Sequence, residues 1–353
     1  INTLAIRLNK AQWGELIDDL GGIADLHNKL IRTPLAPDIT FSDDPLRMLR
    51  AIRFATQLHF TIDPITLAAI QHNAERIKII SQERITDELN KIILASVPSE
   101  GFKLLFDTGL LHLFFPLLTD LQGKETIQGH THKDNFYHTL QVLDNIAKKT
   151  DNLWLRWAAI LHDIAKSLTK NFSPEIGFSF HGHEELGARM VPKIFKQLKL
   201  PLQENMAYVQ KLVRLHLRPI VLAQDVVTDS AVRRLIYEAG DTIEDLMLLC
   251  RADITSNNPV RINEYLKNFD KVEEKIQEVE EKDQIRNLQP VITGDIIMKT
   301  FQLKPSHIVG EIKSAIKEAI LDGKIRNEYQ EAFQYMLQLG IAHGLQPIKS
   351  SEM

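Results

Sequence analysis

The 353-residue chain has a single cysteine, Cys250, which excludes an internal disulfide. One lone thiol suits a reducing compartment, so a cytoplasmic location is expected. No apolar run approaches the roughly 20 residues that cross a bilayer, and no membrane partner is expected. Charge of one sign is scarce too: 42 Lys and Arg stand against 46 Asp and Glu, a formal charge of −4. That balance excludes a protein basic over its whole surface and confines any nucleic-acid contact to a patch. Internal repeats and low-complexity tracts are lacking. A composition of 44% hydrophobic and 25% charged residues is that of an ordinary globular protein, long enough for two or three domains.

Histidine, by contrast, is abundant, with thirteen residues placed unevenly. His130, His132, His138, His162, His181 and His183 all fall between His112 and His216. This concentration marks the middle of the chain as a chemical centre.

Patterning predicts a mainly α fold. The first 33 residues read as strands and turns, with Gly21-Gly22 forcing a bend. A hairpin of two strands is marginal alone and needs packing against other elements. Helical spacing then predicts helices over 45–58, 64–76, 83–95 and 99–108, with Pro45, Pro64 and Ser99 as start signals. After a polar stretch at 123–133, helices are predicted over 135–149, 153–167, 184–198, 203–217, 230–238 and 242–256. Residues 263–289 form a charged segment expected as a solvated helix or linker. A final unit begins at Pro290-Val291 and contains one amphipathic helix stopped by Gly323.

Within "SDDPLRMLRAIRFATQLHF", Leu46, Leu49, Ile52 and Ala55 recur every third residue, shadowed one position later by Arg47, Arg50 and Arg53. On a helix the arginine row lies about 100° from the apolar row. It is either a solvated flank or a surface for anions. Asp44 before Pro45 has the pattern of an N-cap, with an i,i+3 pair to Arg47 available. The same placement sets an acceptor beside a planar fork of donors, a combination that matches the edge of a base. Arg50 and Arg53 would then neutralise phosphates.

These residues resemble class II tRNA nucleotidyltransferases, the CCA-adding enzymes, and the related bacterial poly(A) polymerases. The likeness runs from "INTLAIRLNKAQWGELIDDLGGIADLHNKLIRT" through "DDPLRMLRAIRFATQLHFTIDP" and Glu83-Arg84-Ile85 with Glu88 to "GFKLLFDTGLLHLFFPLL". It implies that Asp44 and Arg47 meet the edge of the incoming CTP or ATP base and that Arg50 and Arg53 line the nucleotide pocket. It further implies that Asp18, Gly21, Gly22 and Asp25 form a flexible motif between head and neck, and that Glu83, Arg84 and Glu88 hold a helix turn in place. Asp43 replaces the usual Glu, and Asp19-Leu20 the usual Pro-Phe. The family's catalytic Gly-Ser motif and its Asp-x-Asp pair for Mg²⁺ lie upstream of Ile1 in that pattern. The expectation is therefore a part of a longer enzyme, which alone should not add nucleotides.

A second resemblance rests on His138 in "NFYHTLQVL", His162-Asp163 in "LRWAAILHDIAKSLTK" and Asp253 in "CRADITS". Their order is similar to that of HD metal-dependent phosphohydrolase domains, and His183 and His216 match the additional ligands of two-metal members. Imidazole and carboxylate donors together suit six-coordinate Mg²⁺, Mn²⁺, Fe²⁺, Co²⁺ or Ni²⁺. Lys166, one turn beyond His162, would offset phosphate charge. The plainer reading is core histidines with Asp163 paired to Lys166. His130, His132 and His181 are expected on the surface, Trp154 and Trp157 in the core. Gly310 could let backbone amides meet a phosphate, or only allow close packing. The tail resembles the C-terminal unit of HD-bearing relatives, which touches the tRNA arm.

The expected organisation is a remnant β-hairpin of a nucleotidyltransferase head (1–33), a helical neck binding nucleotide and RNA (34–122), an all-helical HD domain (123–260) and a helical linker and tail (261–353). The implied partners are a tRNA or other RNA 3′ end, CTP and ATP. Two rivals are an HD phosphohydrolase acting on nucleotides or 2′,3′-cyclic phosphates, and a non-catalytic tRNA-binding module.

Overall fold

Side-chain caps and prolines set many of the helix starts. In the computed structural model, which describes residues 3–224, 228–255, 258–283 and 285–348, Asp63, Asp134, Asn152, Thr228 and Thr293 each accept an N–H from the first turn that follows. Each bond satisfies a donor that a helix start would otherwise leave orphaned. Pro37, Pro64, Pro98 and Pro116 occupy opening positions, where a missing N–H costs little.

Two compact units result: Ile1–Leu217 with Leu248–Asn258, and Arg218–Met247 with Pro259–Met353. The first opens with β1 (Ala5–Ile6) and β2 (Leu16–Ile17), antiparallel with Ala5 opposite Ile17. Then come α1 (Gly22–His27), β3 (Leu30–Ile31), α2 (Pro37–Asp43), α3 (Leu46–Leu58) and β4 (Thr61–Ile62), with β3 and β4 paired in parallel. Helices α4 (Pro64–Asn73), α5 (Gln82–Ile93), α6 (Pro98–Asp107), α7 (Leu110–Phe114) and α8 (Pro116–Thr119) complete this part. Helix α3 packs on α5 and α6, bringing Met48, Leu49 and Ile52 into one buried cluster with Leu89, Ile92, Phe102 and Leu105. A Cβ on Gly101 would stand 2.5 Å from Ile92 and 2.6 Å from Thr56, so only glycine allows this approach.

Hairpin β5 (Thr126–Ile127) and β6 (His130–Thr131) leads into α9 (Asn135–Ala147), α10 (Leu153–Leu161) and α11 (Lys166–Thr169). Hairpin β7 (Asn171–Ser173) and β8 (Gly177–Ser179) precedes α12 (His183–Gln197) and α13 (Glu204–Leu215). Arg156, 1% exposed, is the polar centre of this region. Its guanidinium donates to the carbonyls of Ile93, Ala95, Ala147 and Thr150 and to Asp151. Five charge-assisted donors thus meet acceptors at the ends of α5 and α9, which offsets the cost of burying the cation.

The remaining helices are α14 (Leu217–Gln224), α15 (Asp229–Ala239), α16 (Ile243–Asp253), α17 (Pro259–Asp283), α18 (Gly294–Phe301), α19 (His307–Leu321) and α20 (Tyr329–Ala342). In the second unit, α17 lies against α15 through buried Phe269, Val272, Ile276 and Val279. Among the described residues no helix is long and apolar enough to cross a membrane.

Several local expectations are corrected. Residues 22–27 are helical, because Asp18 accepts the N–H groups of Gly22 (2.5 Å) and Ile23 (2.9 Å) and so caps α1 from outside. Ser99 is not a cap: Pro98 opens α6, and the Ser99 N–H donates to Asp144 at 3.0 Å. The segment 123–133 contains a hairpin. The charged segment is helical as far as Asp283, as one of its two expected forms, but with a buried stripe of Phe269, Val272, Ile276 and Val279 in place of a wholly solvated face. The tail has three helices in place of one, and Gly310 lies inside α19, which begins at His307. Ser256, the expected end of α16, lies outside the described residues.

Candidate functional site

Two places in the first unit gather chemistry-bearing side chains. The first lies beside α3. A cavity of about 430 Å³ is lined by Arg32, Arg47, Arg50, Phe41, Phe54 and Thr66 among others. Arg47 is exposed and Arg50 half-buried, so both guanidinium groups remain open to a ligand. The arginine row divides at its third member. Arg53 turns away: its Nε donates to Glu88 Oε2 at 2.5 Å and Nη1 to Gln57 at 2.9 Å. Burial alone would raise the Glu88 carboxyl, but bonds from Lys91 and Arg53 lower it. Arg53 and Glu88 thereby fasten α3 to α5.

Asp44 is half-buried at the end of α2. Its carboxylate accepts the Leu46 N–H at 3.2 Å and lies 3.7 Å from Arg84. The ion pair with Arg47 suggested by their spacing is replaced by this one with Arg84. Glu83 is exposed in the first turn of α5. Asp25 pairs with Arg32 at 2.7 Å, and both line the cavity. Gly21, at φ 71°, supplies the left-handed residue before α1. Arg32 carried no expected role; it lies seven residues beyond Asp25, and only the fold brings it to the same cavity as Arg47.

The second place is built where α10 breaks. His162 and Asp163 do not lie inside a continuous helix: α10 ends at Leu161, and the doublet occupies the turn before α11. This turn frees both side chains to point the same way while leaving them 0% and 1% exposed. Around Asp163 the fold gathers His138 from α9, His183 from the start of α12, His216 after α13 and Asp253 at the end of α16.

Asp163 uses each oxygen differently. Oδ2 lies 3.2 Å from His162 Nε2 and 3.5 Å from His138 Nε2. Oδ1 lies 3.2 Å from His183 Nε2 and 3.8 Å from His216 Nε2. Asp253 Oδ1 is 2.9 Å from His138 Nε2 and 3.5 Å from His162 Nε2. His138, His162 and Asp163 form one group able to hold a cation, and Asp163, His183 and His216 form another.

The imidazoles are oriented from behind. His162, His183 and His216 each place Nδ1 2.7 Å from the carbonyl three residues earlier, of Ala159, Phe180 and Val213. A carbonyl only accepts, so Nδ1 carries a proton in each, and a ring that is neutral, or that gives up its second proton to a cation, presents the Nε2 lone pair. His138 Nδ1 meets Thr255 Oγ1 at 2.8 Å. Cys250 backs the site, its Sγ 3.0 Å from the His216 carbonyl, and burial pushes its thiol up.

This donor set fits a divalent cation. His183 and His216 set their Nε2 atoms 3.3 Å apart, an unfavourable meeting of lone pairs unless positive charge lies between them. His162 Nε2 is buried without a hydrogen-bond partner. Ligands about 2.1 Å from a metal and at right angles to each other stand about 3 Å apart, close to these separations. Second-partner bonds that fix the imidazole tautomer are characteristic of metal-binding histidines.

Electrostatics agree. Burial would depress His162, yet the charge of Asp163, reinforced by Asp253, raises it to about 10. The proton thus occupies the field that a cation would fill. Burial and the charge on His162 push His216 down to about 4, so its lone pair is free at neutral pH. Burial opposes ionisation of Asp163, and the charges of His162 and Lys166 overcome it.

A cavity of about 460 Å³ opens beside the cluster, lined by His138 and Asp253 together with Lys133, Lys166, Phe178 and His132. Lys166 donates to Asp163 Oδ2 at 2.6 Å, so the expected neighbour of a phosphate is also the partner of a carboxylate. His132, expected on the surface, is half-buried with an enclosed Nε2. Lys133 and Thr255 escaped notice because single Lys and Thr residues carry no periodic signal; Lys133 Nζ donates to the Thr255 carbonyl at 2.5 Å. Trp157 is fully buried and donates to Asn90, as a core residue.

Histidines and aspartates drawn from helix ends and from the turn after α10 into groups able to hold a cation are the arrangement of an HD-type domain. Family comparison agrees with that class. Residues 135–258 match the HD domain, and residues 59–121 match the probable RNA and SrmB-binding site of polymerase A. The A-adding tRNA nucleotidyltransferase of Deinococcus radiodurans is 31% identical over 338 residues, covering 92% of this chain and 74% of that protein. The CC-adding tRNA nucleotidyltransferase of Thermus thermophilus is 28% identical, covering 94% and 75%. A multifunctional CCA protein of Mannheimia succiniciproducens is 31% identical, covering 68% of this chain and 59% of its own length. The fold is similar to that of the Bacillus stearothermophilus CCA-adding enzyme in complex with CTP (TM-score 0.60, 20% identity, 97% of this chain and 72% of that one). The chain belongs to the tRNA nucleotidyltransferase family.

Proposed function

We propose that this chain serves template-independent addition of CCA, or of A alone, to tRNA 3′ ends from CTP and ATP. In this reading residues 1–33 close a nucleotidyltransferase head, residues 34–122 form the neck, residues 123–260 the HD domain and residues 261–353 the tail, in a cytoplasmic setting. The observation that carries it is the open cavity at Arg47 and Arg50, in a chain related along 92% of its length to an A-adding enzyme.

Chemistry supports a base-selecting role for the opening of α3. A carboxylate accepts only, so Asp44 favours a base edge that offers an amine. Cytosine and adenine offer one, where guanine and uracil place a carbonyl oxygen. Arg47 supplies donors for the adjoining ring nitrogen, and Arg50 faces the phosphates. Arg53 takes part indirectly, by holding α3 against Glu88. Incorporation of labelled CTP and ATP into tRNA lacking its 3′ end tests the reading. In the full-length gene product, Arg47→Ala should lower incorporation at least about tenfold, the loss of one charge-assisted contact to substrate. Unchanged incorporation would overturn it.

A second activity is favoured by one specific feature, the two groups of donors that share Asp163. We infer metal-dependent hydrolysis of phosphoesters such as 2′,3′-cyclic nucleotides at the HD centre. Mn²⁺, Co²⁺, Ni²⁺, Fe²⁺ or Mg²⁺ each suits the mixed donors, and the bound ion would supply an acidified water. His138, His162, Asp163 and Asp253 would hold it, with His183 and His216 beside Asp163 Oδ1. Lys166 keeps its ammonium at the cavity wall, where it offsets phosphate charge. Phosphate release that needs added metal and disappears in His162→Ala is the expected result; release insensitive to that change would sink it.

A further inference from the structure

The walls of the HD cavity are not the walls a bare phosphate would need. Two hairpins, β5–β6 and β7–β8, bring aromatic rings to its mouth. Phe178 and Phe180 line it, both half-buried, and Ile176 at the rim is 75% exposed. The ring of His132 stands edge-on to Phe178 at 4.7 Å between centroids. His132 Nδ1 lies 2.7 Å from the Lys133 carbonyl and so carries the proton, which leaves Nε2 a buried acceptor with no partner. Cations accompany the rings: Lys166 Nζ lies 5.7 Å from the Phe180 centroid and Lys170 Nζ 5.0 Å from that of Phe178. Lys170 also pairs with Glu125, which ties the β7–β8 hairpin to the segment entering β5.

We propose that Phe178, Phe180 and His132 form a specificity-determining subsite that holds the ring of a nucleoside phosphate whose phosphoester faces Asp163 and Asp253. The inference rests on the reading of the cluster as a phosphoester centre and names the part of the substrate that the hairpins select. Flat π surfaces take a nucleobase by stacking. His132 stands edge-on to both Phe178 and Phe180 and so fixes the orientation of the two stacking rings, its own Nε2 being enclosed behind them. Lys133 and Lys166 place positive charge on the phosphate side. A volume of about 460 Å³ is in the range of small-ligand sites, and holds one nucleotide rather than a folded RNA end.

Calorimetric titration of the Mn²⁺-loaded full chain tests the proposal, in an Arg47→Ala background that silences the neck cavity. The probes are adenosine 2′-monophosphate and ribose 5-phosphate, which lacks the ring. Phe178→Ala should weaken the adenosine ligand about tenfold and leave the ribose ligand within about twofold, as loss of one stacking partner predicts. Phe178→Leu should behave like Phe178→Ala, and Phe178→Trp like the parent. Equal losses for both ligands, or full retention in Phe178→Leu, would overturn the subsite in favour of simple hairpin packing. If the chain takes up no Mn²⁺, the metal reading fails, and the same ratio measured in EDTA still decides the ring preference. A dinucleotide binding more tightly than the mononucleotide would overturn the choice of a single nucleotide as occupant.

Discussion

His183 and His216 face each other through Nε2 atoms 3.3 Å apart, each ring pinned from behind by a backbone carbonyl. Two neutral imidazoles so oriented repel, and one cation resolves the contact. Loading with Mn²⁺ followed by gel filtration and elemental analysis should therefore give two ions per chain. His216→Ala should retain one, at the His138 side, and Asp163→Asn should retain neither, because both groups use Asp163. Two ions in His216→Ala would disprove the division.

Acidity should compete with the metal. His162 is raised to about 10, so at neutral pH its Nε2 holds a proton that a cation must displace. Affinity for Mn²⁺ should rise with pH toward that value, up to about tenfold per unit for one displaced proton. His216, lowered to about 4, needs no deprotonation above that pH and adds nothing to the slope. The metal-free protein runs the other way. A raised His162 stabilises the fold fully below its unfolded value near 6.5, and that contribution fades as pH climbs toward 10. Thermal melts with and without EDTA across pH 6 to 10 read both trends.

Separating Arg53 from its neighbours distinguishes scaffold from ligand contact. Arg53→Met leaves Glu88 buried with Lys91 alone. Urea unfolding should show a loss of about 1–3 kcal/mol, typical of a buried charge deprived of one partner. CTP affinity should fall less in this variant than in Arg47→Ala. The reverse order would mean that Arg53 leaves Glu88 to reach the nucleotide.

Arg156 offers the sharpest stability test. Arg156→Met keeps the apolar stem but strands the carbonyls of Ile93, Ala95, Ala147 and Thr150. A loss of about 3 kcal/mol or more follows from several buried acceptors left bare. Less than about 1 kcal/mol would show that water replaces the guanidinium without cost.

What could be read beforehand followed local chemistry. A proline signal located α4, and the apolar stripe of Leu46, Leu49 and Ile52 located α3, because both depend on neighbours within two turns. Ordered His and Asp residues singled out 138, 162, 163 and 253, along with 183 and 216, which the fold then draws around Asp163. The misses were long-range. Nothing near Asp44 announces Arg84, forty positions on, and nothing near Arg53 announces Glu88. The break after Leu161 was hidden because the stretch through Ser167 keeps helical spacing although the chain turns. His132 looked like surface because the partners that enclose it, Phe178 and Phe180, come from a hairpin whose short strands leave too little alternation to detect.

Arg156 also limits how the molecule can bend. Because one guanidinium grips the end of the α5 segment and the end of α9 together, a swing at residues 94–98 would break several charge-assisted hydrogen bonds at once. The C-terminal ends of α5 and α9 are therefore tied to each other through this one side chain. In the proposed reading, closure of the cavity at Arg47 around a nucleotide would come from its other bank, where the more exposed Arg32 pairs with the more enclosed Asp25.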